Sequence, residues 1–258
     1  MNRASANLAR PNVVVTGGGT IAPIDDVRVL TNVSSGRFAA AITEACLERD
    51  AAVWHIHTPT ALLPYERSAR FDLDTSDPSA EIDRLARLHA NWQNVRDRLH
   101  FVRLQNGTVA EYQQALKRVL EERTIDITFL AMAVSDFEPE PRRGKISSEA
   151  ESLVIHCTRT SKVIRSVRDW SPSIYLVGFK LLSGVSPEVL IHQAEISCRI
   201  NRAQLTVAND LELLRQGRHT LHLVRPGLEP ETLPPGDYLA QRLVDRVFSW
   251  ATAPDREP

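Results

Sequence analysis

The sequence is poor in the features that mark most specialised protein classes. Its three cysteines, Cys46, Cys157 and Cys198, lie far apart and form no C-x-x-C pair. That spacing argues against a disulfide framework or a thiolate metal site and leaves buried free thiols as the expectation, with no metal ligand assigned. Basic and acidic residues nearly cancel, 31 against 32, with no long block of either sign, so no electrostatic footprint for nucleic acid or an anionic membrane is expected. No apolar run is long enough to cross a bilayer, and the first twelve residues lack the continuous apolar core of a signal peptide. A cytoplasmic protein with neither nucleic-acid nor membrane partners is therefore expected. A Walker-type G-x-x-x-x-G-K-[ST] loop is missing too, and none of Tyr65, Tyr112, Tyr175 and Tyr238 is followed four positions later by the lysine of a short-chain dehydrogenase.

What is present is a core-forming composition, 43% apolar, arranged in alternating patterns. The β-branched run Val13–Thr16 reads as a strand, and Phe38, Ile42 and Ala45 mark successive turns of a helix before a second strand at Ala51–Ile56. Pro59 to Asp77 is irregular; Pro78 then sits at a helix N1 position ahead of a stripe made by Ile82, Leu85, Leu88, Trp92 and Val95. Leu99–Leu104 predicts a strand and Thr108–Glu111 a capping box; Ile125–Met132 is apolar enough to be buried on both faces of a parallel sheet. Glu138–Glu151 should be a mobile exposed loop, followed by strands at Ser152–Cys157, Ile174–Phe179 and Leu205–Ala208 and helices around Val163–Val167, Leu190–Cys198 and Leu239–Trp250. Lys180–Gly184 is expected to be a turn, and His219–Val224 a hairpin-like end. The pattern predicts an α/β fold, a Rossmann-like mostly parallel sheet flanked by helices, with a flexible flap. One domain over 12–251 is expected, with the flap at about 137–151 and frayed ends at 1–11 and 252–258.

The densest chemistry lies between Asn12 and Ala41. Gly17, Gly18 and Gly19 directly follow the first strand, where backbone leaving a sheet can let a ligand approach. Ser34-Ser35-Gly36 then opens an alanine-rich helix whose free amides and dipole favour a phosphate. Gly17 to Ala22 also fits G-x-G-x-x-A, which keeps an NAD(P)-binding oxidoreductase open as an alternative. Against it, Pro23-Ile24-Asp25-Asp26 stands where a dinucleotide helix should already run, and the second strand ends in His55-Ile56-His57-Thr58 without an acidic residue for a ribose. His55 and His57 lack an evident third metal ligand.

Five segments, in order, carry a resemblance: TGGGTIAPIDDVRVLTNVSSGRFAAAITEA, AMAVSDFEP, KISS with its flanking flap, VGFKLL and VAND. Together the chain resembles the phosphopantothenate–cysteine ligase family, of the monofunctional type. The resemblance implies a homodimer that uses CTP or ATP with Mg²⁺ to activate the carboxylate of 4′-phosphopantothenate, releases pyrophosphate, and condenses the activated acid with cysteine in coenzyme A biosynthesis. It implies catalytic roles for Asn32, at the reacting acyl phosphate, and Lys145, on the flap over the triphosphate. Gly18, Ser34, Gly36, Phe179 and Asn209 would contact the nucleotide; Met132, Ala133 and Asp136 would line the phosphopantothenate site, and Arg28 would reach the partner subunit's substrate. No flavin is expected, and the following decarboxylation falls to a separate polypeptide. Ala39 stands where some members have glycine and Met132 where alanine is common, and VGFKLL differs from the segment in bifunctional bacterial enzymes, so the choice between CTP and ATP stays open. A non-catalytic nucleotide-binding paralogue is a further alternative.

Overall fold

The computed structural model describes residues 10–149 and 151–252; the frayed ends expected at 1–11 and 252–258 fall almost wholly outside them. In chain order the first strands are β1 (Asn12–Gly17), β2 (Ile21–Pro23) and β3 (Val29–Thr31), followed by helix α1 (Arg37–Glu48) and β4 (Ala52–His57). Helix α2 (Pro78–Val95), β5 (Leu99–Arg103), α3 (Val109–Glu122) and β6 (Ile127–Leu130) complete the first half. The second half carries β7 (Phe137–Pro139), β8 (Cys157–Arg159), α4 (Val163–Trp170), β9 (Tyr175–Leu182), α5 (Pro187–Ile200) and β10 (Leu205–Asp210). It ends with α6 (Leu211–Arg215), β11 (Leu221–Val224), β12 (Glu231–Leu233) and α7 (Leu239–Thr252).

Eight strands form one sheet in the order β12-β11-β10-β9-β6-β1-β4-β5. From β10 to β5 every neighbouring pair is parallel, and β11 and β12 extend the sheet antiparallel. The six parallel strands have the doubly wound Rossmann order, which reverses direction between β1 and β6 and opens a crevice at their carboxyl ends.

Burial follows the period-two rule for a strand covered on both faces. In β1, Val13 and Val15 pack with Ile42 and Cys46 of α1 and Leu243 and Val247 of α7. Val14 faces the other way, toward Tyr112 and Leu116 of α3 and Val163 and Val167 of α4. The central strand β6 is buried at all four positions, as its continuous apolar run requires.

Several local expectations need correction. Leu153, Val154 and Ile155 are not in a strand but in exposed irregular chain, and the strand that follows is the short β8. Cys157 on β8 is therefore exposed, whereas Cys46 and Cys198 are buried. Lys180–Leu182 continues β9, because these residues pair with Ala208–Asp210. Of the α2 stripe only Val95 is buried and Ile82 is exposed, so this helix covers an edge and not the sheet centre.

Candidate active site

The turn that leaves β1 is tied to the chain that leaves β6. Ala133 N–H donates to Gly18 O at 2.9 Å and Thr20 N–H donates to Ala133 O at 3.0 Å. Two hydroxyls fix the same junction, Met132 N–H donating to Thr16 Oγ1 at 3.2 Å and Ser135 N–H to Thr20 Oγ1 at 2.8 Å. Asn32 is drawn in by its exposed side chain, whose Nδ2 donates to Ala133 O at 3.4 Å. Its own carbonyl is so close that a Cβ on Gly19 would stand 2.2 Å from it. Gly18, Asn32, Met132 and Ala133 thus meet at the sheet's reversal point, where an open α/β fold binds ligands. Asp136 lies just beyond; its carboxylate pairs with Lys162, a cation not singled out in the sequence.

The second wall is the start of α1. Gly36 at the N-cap has φ +72° and offers no capping side chain, Ser35 Oγ accepts from Arg37 N–H at 3.4 Å, and no carboxylate occupies the first turn. Ser34 Oγ accepts from Gly36 N–H at 3.5 Å, shaping the turn. Gly36 and Gly18 abut, since a Cβ on Gly36 would lie 3.1 Å from Gly18 N. Gly18 itself has φ +94°, and a Cβ there would stand 2.1 Å from Thr58 Oγ1 and 3.0 Å from Ala61 Cβ. Only glycine satisfies both the conformation and the space. The result is a backbone-lined cradle at a helix N-terminus, a combination suited to phosphate.

Phe179 and Asn209 come from β9 and β10, on the β6 side of β1. Phe179 is half-buried and meets Phe38 of α1 edge-on at 6.4 Å between centroids, and Phe38 meets His219 at 4.7 Å. This aromatic wall joins β9 and His219 to the first turn of α1. The half-buried Asn209 makes no side-chain hydrogen bond among the described residues. Its neighbour Asp210 is committed, capping α6 through Glu212 and Leu213 amides at 2.8 and 3.1 Å and holding Val185 N–H at 3.3 Å.

The flap begins as β7, paired antiparallel with β8, and its tip is tied to the β2–β3 hairpin. Asp25 carries this tie. Its carboxylate accepts from Val27 and Arg28 amides at 2.9 and 2.7 Å, from Arg28 Nη1 at 2.6 Å and from Ile146 N–H at 3.0 Å. Arg28 Nη1 also donates to Ile146 O at 3.2 Å, and Asp26 Oδ2 accepts from Gly144 N–H at 3.0 Å. Lys145, between these two anchored residues, is exposed and leaves its ammonium without a partner among the described residues. Arg28 and Lys145, 117 positions apart, therefore belong to one mechanical unit.

Burial works to raise the Asp25 pKa, but hydrogen bonds from the Ile146, Val27 and Arg28 amides and the Arg28 guanidinium overcome it and lower the value from 3.8 to about 2. The tie is thus complete above pH about 4 and is lost as pH falls toward about 2. Asp25→Asn removes that charge and turns one accepting oxygen into a donor facing other donors. Amide hydrogen exchange at Gly144–Ile146 should accelerate at least about tenfold in this variant at neutral pH. Unchanged exchange would show that the flap is held by other contacts.

The two strand-end histidines belong to the packing. His55 Nδ1 and Thr43 Oγ1 share a hydrogen bond at 2.8 Å, and burial, then the proximity of His57, lower the His55 pKa from 6.5 to about 3. Among the described residues no group of three His, Cys, Asp or Glu side chains is placed to hold a metal ion.

Comparison with known proteins identifies the family. The model of the DNA/pantothenate metabolism flavoprotein C-terminal domain matches residues 8–83 and 91–250. Phosphopantothenate–cysteine ligase 2 of Oryza sativa subsp. japonica is 31% identical over 77% of this chain and 68% of its own length. The phosphopantothenate–cysteine ligase of Homo sapiens is 28% identical over 98% of this chain and 91% of its own length. The bifunctional coenzyme A biosynthesis protein CoaBC of Thermococcus kodakarensis is 28% identical over 84% of the chain, which spans only 46% of that relative. Among solved structures, the DNA/pantothenate metabolism flavoprotein from Streptococcus pneumoniae superposes with a TM-score of 0.72 at 25% identity, covering 93% of this chain and 99% of that one. The fold is shared with a Cab2 mutant H337A in complex with phosphopantothenate-cysteine, TM-score 0.79 at 19% identity over 93% of this chain and 86% of the other. With a family model matching almost the whole chain and relatives of this similarity, the chain belongs to the DNA/pantothenate metabolism flavoprotein C-terminal domain family, that of the phosphopantothenate–cysteine ligases.

Proposed function

We propose that this chain is a phosphopantothenate–cysteine ligase that activates 4′-phosphopantothenate with CTP or ATP and condenses the activated acid with cysteine. The observation that carries the reading is the meeting of Gly18, Gly36, Asn32 and Ala133 at the β1–β6 crevice, beside a helix start with glycine at its N-cap and no carboxylate in its first turn. A carboxylate is a poor electrophile because its oxygen is a poor leaving group. Attack of that oxygen on the α-phosphorus of the nucleotide releases pyrophosphate and makes the oxygen part of a good leaving group. The cysteine amine then adds to the carbonyl carbon, loses a proton, and the nucleoside monophosphate departs with the bonding pair.

Gly18, Ser34 and Gly36 hold the nucleotide phosphates, with Phe179 and Asn209 forming the wall on the β9–β10 side. Asn32 donates its amide to the charge that develops on the activated carboxyl oxygen, adding no charge of its own. Met132, Ala133 and Asp136 line the acid's site. Lys145 neutralises the triphosphate and the flap limits water, which would otherwise hydrolyse the activated acid. Mg²⁺ would arrive with the nucleotide and would neutralise part of the triphosphate charge beside Lys145.

A homodimer fits the exposed apolar side chains Val27, Val29, Leu30 and Val33 around the β2–β3 hairpin. Arg28 on that hairpin would then contribute to the partner subunit's substrate. The oxidoreductase alternative is not favoured, because β4 ends in His57 and Thr58 and offers a ribose no carboxylate.

The direct test of nucleotidyl transfer is isotopic. With ¹⁸O in the phosphopantothenate carboxylate, one label should appear in the nucleoside monophosphate formed when cysteine is added. Label in inorganic phosphate instead would mean activation by phosphoryl transfer and would overturn the proposed chemistry.

A further inference from the structure

A cavity of about 670 Å³ lies at the carboxyl ends of β4 and β5, on the opposite side of β1 from Phe179 and Asn209. Four arginines reach it from three parts of the chain: Arg37 from the first turn of α1, Arg67 and Arg70 from the loop after β4, and Arg103 from the end of β5. Arg67 is taken by Glu44. The side chains of Arg37, Arg70 and Arg103 have neither a hydrogen bond nor an ion pair among the described residues. One carboxylate, Glu66, lines the cavity against them, and the floor includes Phe101 and the buried His57.

Single exposed arginines are ordinarily solvated surface. Here three unpaired guanidiniums line one concavity whose nearest acids neutralise only part of the charge. Their mutual repulsion is relieved by an anion of two or more charges, and guanidiniums bind phosphate oxygens through paired N–H donors. The volume is that of a nucleotide-sized ligand, and Phe101 supplies an aromatic face beside the charge.

We propose that this cavity is a second anion site, separate from the catalytic crevice, for a small phosphate ester or pyrophosphate carrying at least two negative charges. Its position gives it a route to the first site. Ala61 lines the cavity and also faces both glycines, since a Cβ placed on Gly18 or Gly36 would stand only 3.0 or 3.1 Å from Ala61 Cβ. A ligand that shifts the loop after β4 therefore acts on the glycine cradle.

The test rests on the nucleotide site of the proposed function and uses the full chain with inorganic pyrophosphate as the probe. Calorimetry in the presence of a saturating non-hydrolysable CTP or ATP analogue should show one further equivalent of pyrophosphate bound per chain. Arg70→Glu combined with Arg103→Glu should weaken that binding at least tenfold while leaving analogue binding intact, which also shows that the variant is folded. Glu66→Gln should tighten it severalfold. Absence of the further equivalent, or equal affinity in the double variant, would overturn the proposal. Stoichiometric displacement of the pyrophosphate by 4′-phosphopantothenate would also overturn it, making the cavity part of the substrate site.

Discussion

Gly18→Ala is expected to weaken nucleotide binding by about 10–100-fold while leaving the fold intact. Two costs coincide at this position. An alanine at φ +94° sits in backbone space that L-residues avoid, a strain of about 1–3 kcal/mol, and its methyl would overlap Thr58 Oγ1 at 2.1 Å. Thr58 is fully buried, so packing restricts its rotation and it cannot swing away cheaply. The turn must therefore move, and Gly36, which packs on Gly18, moves with it. Adding Thr58→Ala removes the overlap but not the conformational strain, so the double variant should recover part of the lost affinity. Equilibrium binding of the non-hydrolysable analogue reads both effects. Full affinity in Gly18→Ala alone would mean that the nucleotide does not use this cradle.

Asn32→Asp is expected to lower turnover by about 10²–10³-fold, the usual cost of removing one donor from a developing anion. Binding of nucleotide and acid should change much less. The substitution exchanges an amide that now donates to Ala133 O for a carboxylate of the same shape. That carboxylate repels both the carbonyl beside it and the charge that builds up in the reaction. An effect confined to KM would assign Asn32 to ground-state binding, and normal turnover would remove it from the catalytic role.

The alternation of strands and helices was legible because most elements depend on local periodicity. Ile127–Leu130 announces a doubly buried strand by its unbroken apolar run, and Thr108 caps α3 as the sequence predicts. What stayed hidden depends on distant partners. The strands β2 and β3 are three residues each, with Pro23 ending the first and Asp25 and Asp26 in the turn between them, so no period can show. The anchoring of the flap by Asp25 joins positions 121 apart, and nothing around either residue points to the other. The apolar run Leu153–Ile155 misled in the opposite direction, reading as a buried strand where the chain is exposed and irregular. The pairing of Asp136 with Lys162 and the convergence of Arg37, Arg70 and Arg103 likewise need the three-dimensional arrangement.

The close approach of glycine backbone after β1 and at the start of α1 was readable from Gly17–Gly19 and Ser34–Gly36 alone, but not the side of β1 on which a nucleotide would sit. The aromatic contact of Phe38 with Phe179 supports the β9 side, and the arginine cavity occupies the other. The strand order puts β4 and β6 on opposite sides of β1, so the proposed nucleotide site and the arginine cavity flank one helix start.

The central claim, activation of an acid by nucleotidyl transfer, is tested most directly by following pyrophosphate with 4′-phosphopantothenate, Mg²⁺ and either CTP or ATP, with and without cysteine. The account predicts a burst of about one pyrophosphate per active site without cysteine, continuous release when cysteine is added, and neither when phosphopantothenate is omitted. No release with either nucleotide, in the presence of all other components, would contradict it.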